Sequence, residues 1–168
     1  MKKETDNKEH GDVTLSSDCF ALEELKILKS FDGRLLTGVE YYLWANEPRP
    51  SDARCEFLMG LKMIFEGDHP LVLTSGENSL AIGVTNPGFM AQLAEKLQKV
   101  NQQPVIRRIS AGQQPIWQGL IGKVMQGIHL SRHSVLEGYA NDALLFDFDQ
   151  RKLLVKLSDK EGLEAGIF

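Results

Sequence analysis

Two histidines in the C-terminal half have the spacing of a metal-binding motif. His129 and His133 are separated by three residues, which on a helix places two imidazoles on one face as ligands. The residues before His129 read as a strand instead, and the glutamate that follows the first histidine in zinc proteases is absent. We therefore expect two solvated histidines at a strand end, with metal binding as the weaker interpretation.

Three nearby aspartates could supply the paired carboxylates of acid–base catalysis. They are Asp142, Asp147 and Asp149. Phenylalanines alternate with the last two, and Lys152 and Lys156 follow after a turn, so an antiparallel hairpin would place lysines opposite the carboxylates. We expect a charged outer face of a strand. A small hydrolase or metal-dependent enzyme that uses these histidines and aspartates is the second alternative.

The sequence carries no motif for a cofactor or an activated nucleophile. The stretch Gln118–Lys123 contains Gly-x-x-Gly-Lys, but it lacks the first glycine of a phosphate-binding loop and the Ser or Thr that follows the lysine. A Gly-x-Ser-x-Gly elbow is absent. Cys19 and Cys55 are the only cysteines, and we expect two separate packed thiols. The sequence therefore predicts no cofactor.

The segment from residue 96 to residue 136 carries no acidic side chain. Residues 1–84, by contrast, have a net charge of −6 from nine basic and fifteen acidic residues. A basic surface could bind an anion, nucleic acid or an acidic protein, and arginines beside a tryptophan would combine charge with a stacking surface. The other interpretation is that the segment balances the acidic half internally. The binding candidates in this segment are Arg107, Arg108, Trp117, Lys123 and Arg132.

Three aromatic residues lie within one predicted strand between residues 34 and 45. Tyr42 and Trp44 share a face and Tyr41 points the other way, because side chains alternate along a strand. One face must enter the core. The aromatic side chains that remain outside are candidates for a protein-binding surface, where Tyr and Trp are enriched.

The elements that must position these residues show a weak internal repetition. Residues 31–84 resemble residues 116–168 at an offset of 83–85, so that Phe65, for example, falls opposite Phe148. Both stretches read as a long strand followed by three shorter strands with turns between them. In the second copy the long strand is predicted from Trp117 to Leu130.

Two helices are predicted outside these units. Asn86 and Pro87 are a side-chain cap and a first helical residue for a helix over residues 87–101. A shorter amphipathic helix is expected within residues 20–30, with Asp18 as its N-cap.

These elements predict an α+β fold in one globular domain at residues 20–168, preceded by a disordered tail at residues 1–19. Two pseudo-repeated antiparallel β-meanders are expected to form a sandwich or a partly open barrel. One helix covers this sheet structure and the short helix lies at its N-terminal side.

The absence of chemical motifs favours a non-catalytic protein–protein interaction module of bacterial type, such as an inhibitor or an immunity-like protein. Binding of an anion or nucleic acid through residues 96–136 is the alternative. No apolar run reaches the ~20 residues that span a bilayer, and no signal peptide begins the sequence. We therefore expect a cytoplasmic protein that has no membrane partner.

Overall fold

The computed structural model describes residues 18–45, 56–75, 79–160 and 162–168. The predicted tail lies outside this part except for its last two residues. Pro48 and Pro50 predict a loop at residues 46–54, because proline donates no hydrogen bond to a strand ladder, and this loop lies outside the described part entirely. Within the described ranges, a mostly antiparallel sheet curls into a half-barrel and a few helices accompany it. The α+β class and the antiparallel sheet predicted from the sequence are confirmed.

The described residues form three helices and nine strands. The helices are α1 (Leu22–Lys29), α2 (Phe89–Asn101) and α3 (Pro115–Gln118). None of them has both the length and the apolar character needed to cross a lipid bilayer. The strands are β1 (Leu36–Ala45), β2 (Glu56–Phe65), β3 (His69–Thr74), β4 (Gly83–Thr85), β5 (Ile106–Ser110), β6 (Gly127–His129), β7 (Ala143–Phe148), β8 (Arg151–Leu157) and β9 (Leu163–Ile167).

The strands pair in the order β4-β3-β2-β9-β8-β7-β6, and β1 pairs with both β2 and β5. Backbone hydrogen bonds then join β1 to the far end of this order. The N–H of Leu36 donates to the carbonyl of Lys123 (2.9 Å), and the N–H of Met125 donates to the carbonyl of Arg34 (2.9 Å). Because the chain continues from Met125 into β6, these bonds bring the two ends of the sheet together and fix its curl.

Apolar side chains on the inner face of the curl form the main core. Leu61, Met63 and Phe65 of β2 are all fully buried, as their alternation predicts. A buried side chain of this size contributes about 1.5–3 kcal/mol to folding. The aromatic side chains of this core are Phe20, Phe31, Phe65, Trp117, Phe146 and Phe148.

Helix α2 covers the opposite face of the sheet. Leu93 and Leu97, which the sequence places on one face of the helix, pack against a second cluster that includes Tyr42. Met90 of this helix is fully buried and lies over Gly60 of β2. A Cβ atom at residue 60 would lie 3.0 Å from the Met90 Cε, so glycine allows the close approach of the helix.

The second long strand, predicted from Trp117 to Leu130, is wrong. Pro115 occupies the first turn of α3, where its fixed φ and missing N–H are tolerated. Gly122 then adopts a φ of +85°, which an extended strand does not allow. Only the short strand β6 remains of the prediction, so the two β-units begin differently. Neither the sandwich nor the duplication is confirmed.

The carboxylate of Glu24 connects α1 to the edge of the sheet. The sequence predicts Asp18 as the N-cap, but α1 begins only at Leu22. The Oε2 atom of Glu24 accepts the N–H of Ala21 (2.8 Å), and its Oε1 atom accepts the N–H of Val84 in β4 (2.9 Å). One side chain thus satisfies a backbone donor at the helix N-terminus and another on an edge strand.

We predict that Glu24→Ala lowers the free energy of unfolding by about 1.5–3 kcal/mol, the usual contribution of hydrogen bonds to a charged group. Glu24→Gln keeps one acceptor oxygen and should lose less. The control is Glu23→Ala on the same helix, because its ion pair with Lys26 is exposed and such pairs contribute about 0–1 kcal/mol. Urea unfolding measures all three variants. Equal losses for the two alanine variants would contradict this role of Glu24.

Candidate functional site

Strand β5 lies at an edge of the sheet, because among the described residues only β1 pairs with it. The N–H of Ala111 donates to the carbonyl of Val39 (2.9 Å), which makes these two residues a hydrogen-bonded pair of the ladder. Such pairs alternate along antiparallel strands, so residues 109 and 107 also direct their backbone groups to β1. The intervening residues direct their N–H and C=O groups away from it. They are Ile106, Arg108 and Ser110.

A second edge strand, β4, is protected. The N–H of Val84 is bound by the Glu24 carboxylate, and the N–H of Ile82, just before β4, donates to the carbonyl of Asn141 (2.7 Å). Protection of this kind prevents an edge strand from pairing with another chain. No hydrogen bond of this kind is present at the outward groups of β5 within the described part of the chain. This edge is our candidate functional site.

The side chains around this edge combine positive charge with an aromatic pair. Arg108 is exposed and lies opposite Tyr42 on the face that α2 covers. Trp44 lies opposite Ile106 and stacks on Phe57, with ring centroids 6.1 Å apart and an angle of 17° between the rings. Tyr42 and Trp44 share a face, as predicted. Only Trp44 is accessible in part, because Tyr42 is buried beneath α2.

Trp117 does not lie on this surface. Its side chain is completely buried, and its Nε1–H donates to the hydroxyl of Tyr41 (2.6 Å). The sequence had suggested a stacking surface beside Arg107 and Arg108, but a buried indole cannot stack on a ligand. Helix α3 turns the indole into the main core, where it packs edge-on against Tyr41 at 6.3 Å.

The basic residues of the acid-free segment do not form one patch. Arg107 lies opposite Leu43 of β1, whereas the backbone of Lys123 binds Leu36 at the start of that strand. Seven residues of strand separate these positions, or about 23 Å at a rise of about 3.3 Å per residue. Arg132 lies beyond β6, above the ring of Tyr139. Of the four basic candidates, only Arg107 and Arg108 are neighbours, and their side chains are on opposite faces of β5.

The histidine and aspartate candidates meet in one place only. The Nε2 atom of His129 lies 3.4 Å from the Oδ2 atom of Asp147, and the Nζ atom of Lys152 lies 4.0 Å from the same oxygen. Lys152 is the cross-strand neighbour of Asp147, as predicted. This is a charged strand face of the kind expected from the alternation.

The other members of that set lie apart from this pair in the fold. His133 belongs to a hairpin beyond β6, where its Nδ1 atom accepts two backbone N–H groups. Asp142 precedes β7, and Asp149 lies in the turn after it with a φ of +66°. Within the described ranges, no three His, Cys, Asp or Glu side chains are grouped so that they could hold a metal ion.

Sequence reasoning identifies these surfaces only in part. Residues 105–109 predict a short edge strand, but which of its two sides is open depends on the strands that pair with it. Residues 131–138 predict a loop, whereas the structure forms a paired hairpin there, in which Val135 and Leu136 are exposed apolar residues. An apolar pair inside a polar loop is the signal that could have indicated a contact surface.

Comparisons with known proteins assign no function to these surfaces: no family model matches the chain, and neither a curated protein nor a solved structure matches it significantly.

The hydrogen bond between the partly buried Tyr41 and the buried Trp117 generates a pH-dependent prediction. Burial raises the pKa of Tyr41, and the hydrogen bond from Trp117 opposes this only in part. The folded protein therefore holds the hydroxyl proton more tightly than the unfolded chain does. The resulting stability is complete below about pH 10 and is lost as the pH rises further.

We predict that Tyr41→Phe costs about 1–3 kcal/mol at neutral pH, because the indole N–H loses its buried acceptor. The difference from the wild type should shrink above about pH 10, where the tyrosine of the unfolded chain ionises while the hydroxyl of the folded protein still holds its proton. Urea unfolding of both proteins between neutral and alkaline pH measures this. A difference that stays constant across the range would contradict the raised pKa.

Proposed function

We propose that this protein is a cytoplasmic, non-catalytic protein–protein contact module that binds an extended segment of its partner along β5. The observation that carries the proposal is the edge at Ile106, Arg108 and Ser110, where no described residue binds the outward N–H and C=O groups. An incoming strand would pair with these outward N–H and C=O groups and so extend the sheet. Main-chain hydrogen bonds of this kind supply affinity, and the neighbouring side chains supply specificity.

The charge at the edge favours an acidic partner segment. Arg108 is exposed on the same face of β5 as Ile106 and Trp44, so an added strand with acidic residues at alternate positions would present them to a positive charge on that face. A second copy of β5 is a poor occupant, because antiparallel pairing of this strand with itself brings arginine opposite arginine. Like charges directly opposite are destabilising.

The aromatic pair supports the same surface. Trp44 is only half-buried, and with Phe57 it forms an apolar step beside Ile106 at one end of the edge. Tryptophan in such a position is a frequent centre of binding energy in protein interfaces. An inhibitor or immunity-like role is one form that this function could take, since a module of this kind acts by occupying a segment of another protein.

Binding of an acidic segment is tested with a short fluorescent peptide of alternating Glu and Thr and a matched peptide of alternating Lys and Thr. Fluorescence anisotropy should detect the acidic peptide only. Arg108→Glu should weaken its binding on the order of tenfold, because an attractive cross-strand pair becomes repulsive, whereas Arg108→Lys should retain most of it. Equal binding of both peptides would refute the charge argument.

The role of the backbone edge is tested at Ser110. Its N–H points away from β1, so Ser110→Pro removes a donor for the incoming strand but none from the existing ladder. We expect Ser110→Pro to lose peptide binding while circular dichroism and thermal unfolding stay close to the wild type. Ser110→Ala keeps the N–H and is the control. Full binding by the proline variant would exclude strand addition at this edge.

Trp44→Ala should weaken binding of the same peptide and leave the fold intact, because the Trp44 side chain is partly accessible. Tyr42→Ala is not a suitable companion, since removal of a buried side chain beneath α2 would destabilise the protein itself. Phe57→Leu is a better control, because it retains apolar packing below the indole. Unchanged affinity in Trp44→Ala would remove the aromatic pair from the binding surface.

Nucleic-acid binding through residues 96–136 receives less support. The four basic side chains predicted to carry it lie far apart on the sheet and its hairpin, so a nucleic-acid backbone would meet only two of them together. A fluorescent oligonucleotide in the same assay distinguishes the two ideas. Oligonucleotide binding that falls steeply with salt, as release of counterions requires, would redirect the proposal to that segment.

We also propose that the meanders β2–β4 and β7–β9 derive from one duplicated unit. The strands have the same order in both, and Phe65 and Phe148 are both fully buried at the ends of the corresponding strands. Leu80 and Leu163 weaken the correspondence, because the first is 75% exposed and the second is buried.

A further inference from the structure

The hairpin at residues 131–140 has a base that is fixed by backbone hydrogen bonds. The N–H of Ala140 donates to the carbonyl of Ser131 (2.8 Å) and joins the two strands of the hairpin. The second strand also pairs with the segment before α1, where the N–H of Phe20 donates to the carbonyl of Tyr139 (2.9 Å). The base of the hairpin is therefore attached to the rest of the fold by bonds that do not involve its tip.

The tip of the hairpin, residues 134–137, is held by one side chain. The backbone N–H of His133 donates to the carbonyl of Gly138 (3.0 Å) and closes the hairpin below the tip. The Nδ1 atom of its ring accepts the N–H of Val135 (3.1 Å) and the N–H of Leu136 (3.0 Å). Val135 is 85% exposed and Leu136 is 49% exposed, so the core does not fix their side chains. The imidazole thus supplies the bonds that order these two residues.

These two bonds define the protonation state of the His133 ring. Both donors are backbone N–H groups, so Nδ1 must present a lone pair, and the ring proton must be on Nε2. An imidazolium carries a proton on each nitrogen and has no acceptor. A proton on Nδ1 would point at the two N–H groups, and neither bond could form. The structure of the tip is therefore compatible only with a neutral ring.

The surroundings of the ring do not favour its charged form. The charged and titratable side chains of the hairpin and of the segment paired with it are Asp18, Cys19, Arg132, Glu137 and Tyr139. Arg132 lies over the ring of Tyr139, 5.7 Å from guanidinium carbon to ring centroid. No carboxylate in the described part of the chain forms an ion pair with His133. Protonation would therefore remove two hydrogen bonds at the tip and gain no existing ion pair in return.

We propose that His133 is a pH-sensitive switch, in which the neutral ring holds the apolar tip in one shape and protonation in mild acid releases it. Histidine is the side chain that ordinarily changes its charge between about pH 5 and pH 8, whereas carboxyl and phenol groups ordinarily titrate outside this range. Protonated histidines alter contact surfaces in proteins that respond to acid. The switched element here is the turn that presents Val135 and Leu136, and it does not depend on binding at β5.

Backbone amide relaxation, measured by NMR on the whole chain at about pH 7.5 and about pH 5, tests the proposal. The order parameters of Val135 and Leu136 should be about 0.85, the value of rigid backbone, at the higher pH. They should fall below about 0.6 at the lower pH. Ala140 is the internal reference, because its N–H is bound in the base of the hairpin, and it should stay ordered under both conditions.

Three variants assign the response to one ring. His133→Ala removes the acceptor, so the tip should be mobile at both pH values. His133→Asn does not titrate, and its side-chain oxygen can accept the N–H two residues further on, as in an Asx-turn, so the tip should be ordered at both. His129→Asn is the control, since it removes the exposed histidine beside Asp147, and it should respond to pH as the wild type does. An ordered Ala140 in each variant verifies that the base has formed.

A wild-type tip that is equally ordered at both pH values would overturn the proposal. A tip that stays ordered in His133→Ala would also overturn it, because the bonds to the ring would then not be what holds the tip. A pH response that persists in His133→Asn would assign the switch to another titratable group and so exclude His133.

Discussion

The fold depends on the backbone hydrogen bonds that join the start of β1 to the segment before β6. They tie Arg34 to Met125 and Leu36 to Lys123, residues that are about ninety positions apart in the chain. Without this link the sheet would be an open surface with its apolar face in water. With it, the strands wrap around the phenylalanines and Trp117, and the free energy of burying these side chains offsets the entropy of closing so long a loop.

The same closure decides which strand edges are exposed. Inside the curl, β1 has β2 on one side for its whole length, so the chain returning from α2 can pair only with its other side. That returning chain is β5, and no other strand in the described part of the chain pairs with its outer side. The edge at β4 arises in the same way at the other limit of the sheet, but there α1 lies close enough for Glu24 to bind Val84. Arginines, not a covering element, are what the chain places on β5.

Helix α3 and the hairpin at residues 131–140 lie on either side of β6, the short strand of the second half of the chain. In the first half, β1 is ten residues long, and it fills the wall of the half-barrel. In the second half, residues 115–129 form α3, a glycine turn and only three residues of strand. The indole of Trp117 occupies the space inside the curl. After β6 the chain leaves the sheet as the hairpin at residues 131–140 and returns in β7. The short strand β6 therefore leaves room for Trp117 in the core and is followed by a hairpin that exposes Val135 and Leu136.

Alternation within single strands was predictable from the sequence, because a period of two is a local property of the chain. It correctly identified the buried faces of β2 and β7, the shared face of Tyr42 and Trp44, and the lysine opposite Asp147. The position of Trp117 was not predictable in this way, since a proline and a glycine turned its segment out of the strand and only the space inside the curl fixed the indole there. The sequence predicts a short edge strand at residues 105–109 but not which of its sides is open, because an edge is defined by the strands that fail to pair with it, and pairing is decided by the closure of the whole sheet.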